Sequence, residues 1–160
     1  MASFAEYAPD FIAEDLITEG GRTMDPFAQR LQMEVLWANA QEAGGVMHVS
    51  PAVLNPYGTV HGGCLMALAD TVAGHNMAAA GKLCVTQSSA VSFLRAARGP
   101  TIHCRSKIQK LGKAISVVSV EETDESGNLL TTALFTFHTM KEIPPHIITV
   151  GDKGENSSGT

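Results

Sequence analysis

Cysteine is scarce in this chain. Cys64, Cys84 and Cys104 are an odd number with no CxxC pair, which argues against a disulfide framework and against a zinc site, and leaves free thiols packed as small hydrophobes. Long apolar runs are missing too; none approaches the ~18 residues that a membrane span requires. The first residues, MASFAEYAPDFIAEDL, place acids where a signal peptide needs basic residues followed by an apolar block, so a cytoplasmic protein is expected. His48, His75, His103 and His138 show no HxxxH or HxH spacing, and no metal site is expected from them. What remains is an ordinary globular composition, 44% hydrophobic over 160 residues, enough for one domain with a real core.

Acidic residues are absent from a long internal window. Between Asp70 and Glu121 there are none, while Lys82, Arg95, Arg98, Arg105, Lys107, Lys110 and Lys113 all fall there. The net charge of −5 therefore hides a basic middle between acidic flanks. A block of one sign attracts ligands of the other, and phosphates are the usual beneficiary. Nucleic acid fits poorly, because the window holds one aromatic residue, Phe93, and no nucleic-acid motif. A small phosphorylated ligand or a solvated basic strand face are the two readings left open.

Periodicity divides the chain into three parts: 1–24, 25–140 and 141–160. The first reads as a helical extension with Phe4, Phe11, Ile12, Leu16 and Ile17 on one face. Asp25-Pro26 reads as an N-cap with proline at the first helical position, opening a short helix through Leu31. From Gln32 the period becomes 2, with a strand through Met33, Val35 and Trp37, a turn at Gly44-Gly45 and a second strand from Val46 to Val53. Four more strands are expected at Thr86–Ala96, Thr101–Lys110, Ala114–Thr123 and Leu129–Met140, joined by short turns that imply antiparallel neighbours. The last segment, rich in Gly, Ser and Asn, reads as a flexible tail.

One long helix is expected among the strands, Gly62 to Ala80. Leu65, Met66, Leu68, Ala69, Val72, Ala73 and Met77 share a broad arc, and the rest is Ala, Gly, Thr71 and His75. A helix with so little charged surface is one that other elements surround. An antiparallel sheet wrapped around it is the economical architecture, and dimerisation completes the cover. Asp70 is the helix's single charge. Burying a carboxylate costs several kcal/mol unless it is paired, so the position calls for either a salt bridge to a nearby arginine or a general base or nucleophile in a partly desolvated pocket. The functional reading is favoured, because the run Asn55–Gly63 leads straight into the helix N-terminus. There, free N–H groups and the helix dipole stabilise an oxyanion, and Gly62 and Gly63 allow a substrate close approach.

The run NPYGTVHGGCLMALAD resembles the signature of the hotdog-fold thioesterases, in particular their phenylacetate-degradation-type branch: Asn55, Gly58, His61, Gly62 and Gly63, then Asp70 seven residues on. Asp25-Pro26-Phe27 and Ser92–Ala97 resemble flanking segments of that family, so the resemblance spans roughly residues 25–140. It implies an α+β hotdog fold, a curved antiparallel sheet around one central helix, here with an N-terminal helical extension. It implies hydrolysis of an acyl-CoA thioester with no cofactor or metal, coenzyme A being part of the substrate. Asp70 would be general base or nucleophile and the Gly62 N–H the oxyanion donor. Asn55 would orient water or substrate, His61 would shape the loop or act near the sulfur, and Thr86 would position the water, with Ser88 as the fallback. The substrate would be held by Gly63 and, through its phosphates, by Arg95, Arg98, Lys110 and Lys113. A homodimer, extended to a dimer of dimers, would complete the pocket; neither nucleic acid nor membrane is expected as a partner. Gln32, where relatives often carry glycine, would reshape the acyl pocket. A hotdog dehydratase or hydratase using His61 with Asp70, and a non-catalytic acyl-CoA-binding protein, are the alternatives.

Overall fold

The computed structural model describes residues 25–145 together with 148 and 149. The expected helical extension over 1–24 lies outside the described residues, as does Met24. Helix α1 (Pro26–Arg30) starts as expected: the Asp25 carboxylate accepts the Phe27 N–H at 2.9 Å, and proline occupies the first turn. It ends at Leu31, and Gln32 then takes φ +54°, a left-handed conformation that explains a preference for glycine at this position. Gln32 does not line the cavity described below; its role is in the backbone.

Strands β1 (Met33–Ala38) and β2 (Glu42–His48) follow, then the long helix α2 (Gly62–Ala79) and four strands. These are β3 (Lys82–Phe93), β4 (Thr101–Lys110), β5 (Ile115–Thr123) and β6 (Leu129–Glu142), with a two-residue β7 (Ile148–Thr149). The sheet order is β3-β6-β5-β4-β2-β1-β7, and every neighbouring pair is antiparallel. This is the α+β hotdog arrangement, with α2 packed on strands β1 to β6. No helix among the described residues is long and apolar enough to cross a membrane.

Several boundaries differ from expectation. The second strand ends at His48 rather than Val53, because Pro51 opens a 3-10 turn through Val53. Gly44 and Gly45 are not a turn but lie buried inside β2. A Cβ on Gly44 would sit 2.5 Å from the Trp37 ring, and one on Gly45 would meet the Glu34 carbonyl at 2.7 Å and Val72 of α2 at 2.8 Å. These glycines let the indole and the helix lie against the sheet. The turn is instead at Asn39–Gln41, where the Asn39 side chain accepts the Gln41 and Glu42 N–H groups. Strand β3 begins four residues before Thr86 and ends at Phe93, and β6 runs two residues past Met140; the ends of the two strands pair, with Lys82 bound to Glu142.

Candidate active site

Helix α2 has two different faces. Leu65, Leu68, Ala69, Val72, Ala73 and Met77 are buried against the sheet. Asn76, also fully buried, is satisfied by donating to the Asn39 carbonyl at 2.8 Å and accepting from Ser106 at 3.2 Å. The sheet does not cover the opposite face. Met66, expected in the core arc, is 43% exposed on that side. With Gly63, Ala67, Asp70, Gly74 and Ala78 it forms the wall of a cavity of about 590 Å³, closed on the other side by β3 and reached by Phe27 and Ile143. The small side chains on this face are what leave the space open.

Asp70 lies in the middle of this wall, half-buried. The Thr86 hydroxyl donates to its Oδ1 at 2.6 Å. Burial pushes the carboxyl pKa up, and the Thr86 hydrogen bond draws it partly back. One oxygen is thus held and Oδ2 is left for chemistry. Among the described residues no arginine pairs with Asp70; Arg105 is bound to Glu42 at 2.7 Å instead. Cys84, two residues before Thr86, lines the same cavity, and its thiol is pushed up to about 12 by burial and then by the Asp70 charge. It is not a nucleophile at neutral pH.

Ser88, the fallback for Thr86, does not line the cavity, whereas Ser89 does. The cause is a bulge at Gln87: Thr86 pairs with Phe137, yet Ser88 pairs with the next residue back, Thr136. The extra residue shifts the strand's alternation, so Thr86 and Ser89 share a face although they are three apart. Sequence alternation alone could not reveal this. Thr71 and His75 also line the cavity, and their i, i+4 spacing with Ala67 and Ala78 was the available signal. His75 Nδ1 donates to the Thr71 carbonyl at 2.8 Å.

The loop before α2 is held from within. Asn55 Oδ1 accepts the Tyr57 and Thr59 N–H groups at 2.9 and 3.2 Å, and its Nδ2 donates to Thr59 Oγ1 at 2.8 Å. This side chain builds the loop, and only one Nδ2 hydrogen is left over for a ligand. Gly58, with φ +72°, closes the turn. His61 is the N-cap of α2, and its Nδ1 accepts the Gly63 N–H at 3.0 Å. Accepting that bond uses the ring's lone pair, so the neutral imidazole carries its hydrogen on Nε2. The Gly63 N–H is spoken for, while that of Gly62, the first helical residue, has no acceptor within its own helix. A Cβ on Gly62 would come within 3.1 Å of the Phe93 ring, a tight contact that the ring would have to yield to.

The four cations expected to bind phosphates do not form one patch. Arg95 and Arg98 flank Ala97, whose carbonyl accepts the Val60 N–H at 3.0 Å, beside the N-terminus of α2. Lys110 ends β4 at its far end and Lys113 lies just beyond, close enough to Glu142 to lower its pKa. The length of β4 separates the pairs, roughly 30 Å at 3.3 Å per residue. Among the described residues no group of three or more His, Cys, Asp and Glu could hold a metal ion. His48, His103 and His138 are exposed on separate strands.

Residues 57–131 match the family model of the thioesterase superfamily. Among solved structures the chain is similar to the PaaI protein from the phenylacetic acid degradation operon of E. coli, at 22% identity, covering 75% of this chain and 88% of that one, TM-score 0.69. It is also similar to a hypothetical thioesterase protein with coenzyme A from Streptococcus pneumoniae, at 24% identity, covering 70% and 91%, TM-score 0.67. A Streptococcus mutans protein bound to acetyl CoA is similar at 22% identity, with 70% and 91% covered and TM-score 0.67. A search of the curated proteins returns no match. The matched segment holds the loop from Tyr57 on, the central helix, strands β3 to β5 and the start of β6; over these residues the chain matches the thioesterase superfamily, and the architecture around them is the hotdog fold of the similar structures.

Proposed function

We propose that this protein hydrolyses acyl-CoA thioesters. The observation that carries the reading is the Asp70 carboxylate, the one charge on α2, held by Thr86 at the wall of a cavity large enough for an acyl group. Two similar proteins are described with coenzyme A or acetyl CoA bound, which supports the substrate class. In the general-base form, Asp70 Oδ2 takes a proton from water as the water oxygen attacks the thioester carbon. The carbonyl oxygen becomes an oxyanion facing the Gly62 N–H, the C–S bond breaks, and the thiolate leaves to be protonated as free coenzyme A. In the nucleophilic form Oδ2 attacks the carbonyl carbon, the C–S bond breaks and the thiolate leaves to be protonated, and water then hydrolyses the mixed anhydride. Raised by burial, the carboxyl is a stronger base than an exposed one, yet Thr86 keeps it from being protonated too readily.

Gly62 and Asp70 are eight residues apart on one helix, about 12 Å along its axis. One reacting carbonyl cannot touch both groups of the same protomer. A second copy supplies the missing half, and the open edge of β3 beside the cavity offers the place to dock it. Arg95 and Arg98 at one end, with Lys110 and Lys113 at the other, are the cations offered to the coenzyme's phosphates.

The dehydratase reading needs a basic histidine and an acid facing one another. His61 spends its lone pair on the helix cap and is nine residues, about 13 Å, from Asp70. Thiol release measured across aryl, short-chain and medium-chain acyl-CoAs, with Asp70→Asn as control, tests the proposal. Release that collapses in the variant is expected. Binding with no release from any acyl-CoA, or release unaffected by the substitution, overturns it.

A further inference from the structure

We propose that the acyl group of the substrate ends in a carboxylate, and that the Lys82 ammonium at the far end of the cavity binds it. The inference rests on the thioesterase reading and names the acyl class that fits the site.

The cavity wall carries charge at few points. Lys82 is its only lysine or arginine among the described residues, and Asp25 and Asp70 are its acids. The Asp25 carboxylate caps α1, and Asp70 is held by Thr86. Lys82 follows Gly81, whose φ of +85° turns the chain from α2 into β3. A lysine at a strand end ordinarily lays its stem on the surface and keeps its head in water. This one does not, for its side chain is only 12% exposed.

A desolvated ammonium has three hydrogens to satisfy. One goes to Glu142, whose own side chain is 65% exposed. That acid is shared: the Lys82 hydrogen bond, and then the Lys113 charge, hold the Glu142 carboxyl below its usual range. Two lysines and one acid leave a positive excess at this end. Lys82 keeps hydrogens for a second acceptor, and the cavity is where that acceptor can come from.

Two rulers set the distance from the reacting group. Ala78, lining the same end, is eight residues beyond Asp70 on α2, about 12 Å along the axis. Lys82 is four residues before Thr86 on β3, about 13 Å at 3.3 Å per residue. The lysine's own length shortens that gap, so an acyl chain of several carbons spans it. Gly74, Ala78, Leu83 and Cys84 line the stretch between. An apolar passage with one cation at its end suits a chain that is apolar in the middle and anionic at the tip. Length is selected too. A carboxylate on a short chain stops beside Asp70, where like charges repel, and a longer one reaches Lys82.

The Lys82–Glu142 pair also clasps the ends of β3 and β6, and a clasp alone predicts a different pattern. A clasp weakens whichever half is removed, and treats all substrates alike. A binding lysine with a competing acid loses the anionic substrate when Lys82 goes and gains it when Glu142 goes.

Thiol release from succinyl-, adipyl- and suberyl-CoA, each against the alkanoyl-CoA of equal carbon number, tests the proposal. Adipyl- or suberyl-CoA is expected to exceed its counterpart in kcat/KM about tenfold, the scale of a hydrogen bond to a charged group. Succinyl-CoA is expected to fall below butyryl-CoA. Lys82→Met is expected to abolish the preference and Lys82→Arg to keep most of it. Glu142→Gln is expected to raise it about threefold, the worth of an exposed ion pair. Equal release from both series, or a preference that survives Lys82→Met, overturns the proposal and leaves the thioesterase reading standing. A Lys82→Met loss shared by every substrate and by inhibition with free coenzyme A assigns the lysine to the coenzyme's phosphates, which also overturns it. Should Lys82→Met not fold, Glu142→Gln decides alone, and an unchanged or reduced preference overturns the proposal. Calorimetry on Asp70→Asn separates the two readings. Adipyl-CoA bound about tenfold tighter than hexanoyl-CoA, with no thiol released by the wild type, upholds the anion site and removes the thioesterase activity.

Discussion

The two faces of α2 are alike in composition and opposite in purpose. Leu65, Leu68, Val72 and Met77 fill the space above the sheet, where no further atom fits. Gly63, Ala67, Gly74 and Ala78 leave space on the other side. The glycines show the contrast most directly. A Cβ on Gly45, beneath the core face, would strike backbone at 2.7 Å, while a Cβ on Gly74 would meet nothing within 4 Å. Hydrophobicity does not separate a packed wall from an open one. Side-chain volume does, and so does the placing of one charge.

The contrast can be broken from the open side first. Asp70→Asn should lower kcat about 10³-fold, the usual scale for losing a positioned base. It should leave thermal stability unchanged or slightly raised, because a carboxyl whose pKa is raised by burial loses stability as pH climbs through that raised value. From the packed side, Leu68→Ala should cost about 3 kcal/mol in urea denaturation with little change in kcat of the folded fraction. A variant that lost activity without losing stability there would erase the distinction between the faces.

A second buried acid sharpens the comparison. Glu122 on β5 is fully buried beside Thr131 on β6, and among the described residues neither side chain has a hydrogen-bond partner of good geometry, though the Thr131 hydroxyl lies near enough to oppose the effect of burial. Burial pushes its carboxyl up to about 8, with Thr131 opposing. Its folded pKa is raised, so the stability it contributes is complete below the unfolded value of 4.5 and is lost as pH rises to about 8. Melting temperatures of the wild type should fall across that window, and Glu122→Gln should flatten the fall. Asp70, which has its hydroxyl, shows what Glu122 lacks. Thr86→Val should remove that difference: the acid limb of the pH–rate profile moves upward, and kcat/KM drops about tenfold, the value of one hydrogen bond to a charged group. Gly74→Ala should have the smallest effect, stabilising by about 1 kcal/mol through helix propensity while raising KM for the bulkiest acyl groups.

Much of the architecture was legible in the residues. Asp25-Pro26 announced α1, Gly62 began α2, β4 ran from Thr101 to Lys110, and Asp70 stood out as a charge where none is tolerated cheaply. Thr86 came from the family resemblance, and the structure places its hydroxyl on Asp70 after the chain doubles back through Gly81. Other features depend on contacts far apart in sequence. Gly44 and Gly45 look like a turn until Trp37 and Val72 are seen pressing on them. The basic window seemed one patch because sequence distance does not show that β4 carries the chain to the other end of the sheet. Asn55 was expected to orient water or substrate and His61 to shape the loop or act near the sulfur; their hydrogen bonds show both spending most of their capacity on the loop and the helix start.

The bulge at Gln87 has a consequence for how this edge tolerates change. A bulge acts on a strand as a frameshift acts on a reading frame: the residues downstream exchange faces. Here the first two residues that would exchange are both serine, Ser88 and Ser89. Whichever phase the strand adopts, through a slip of pairing or the loss of a single residue at 87, a hydroxyl is presented to the cavity and another to the outside. At this level of the strand the tandem serines keep a hydroxyl on the cavity wall in either phase.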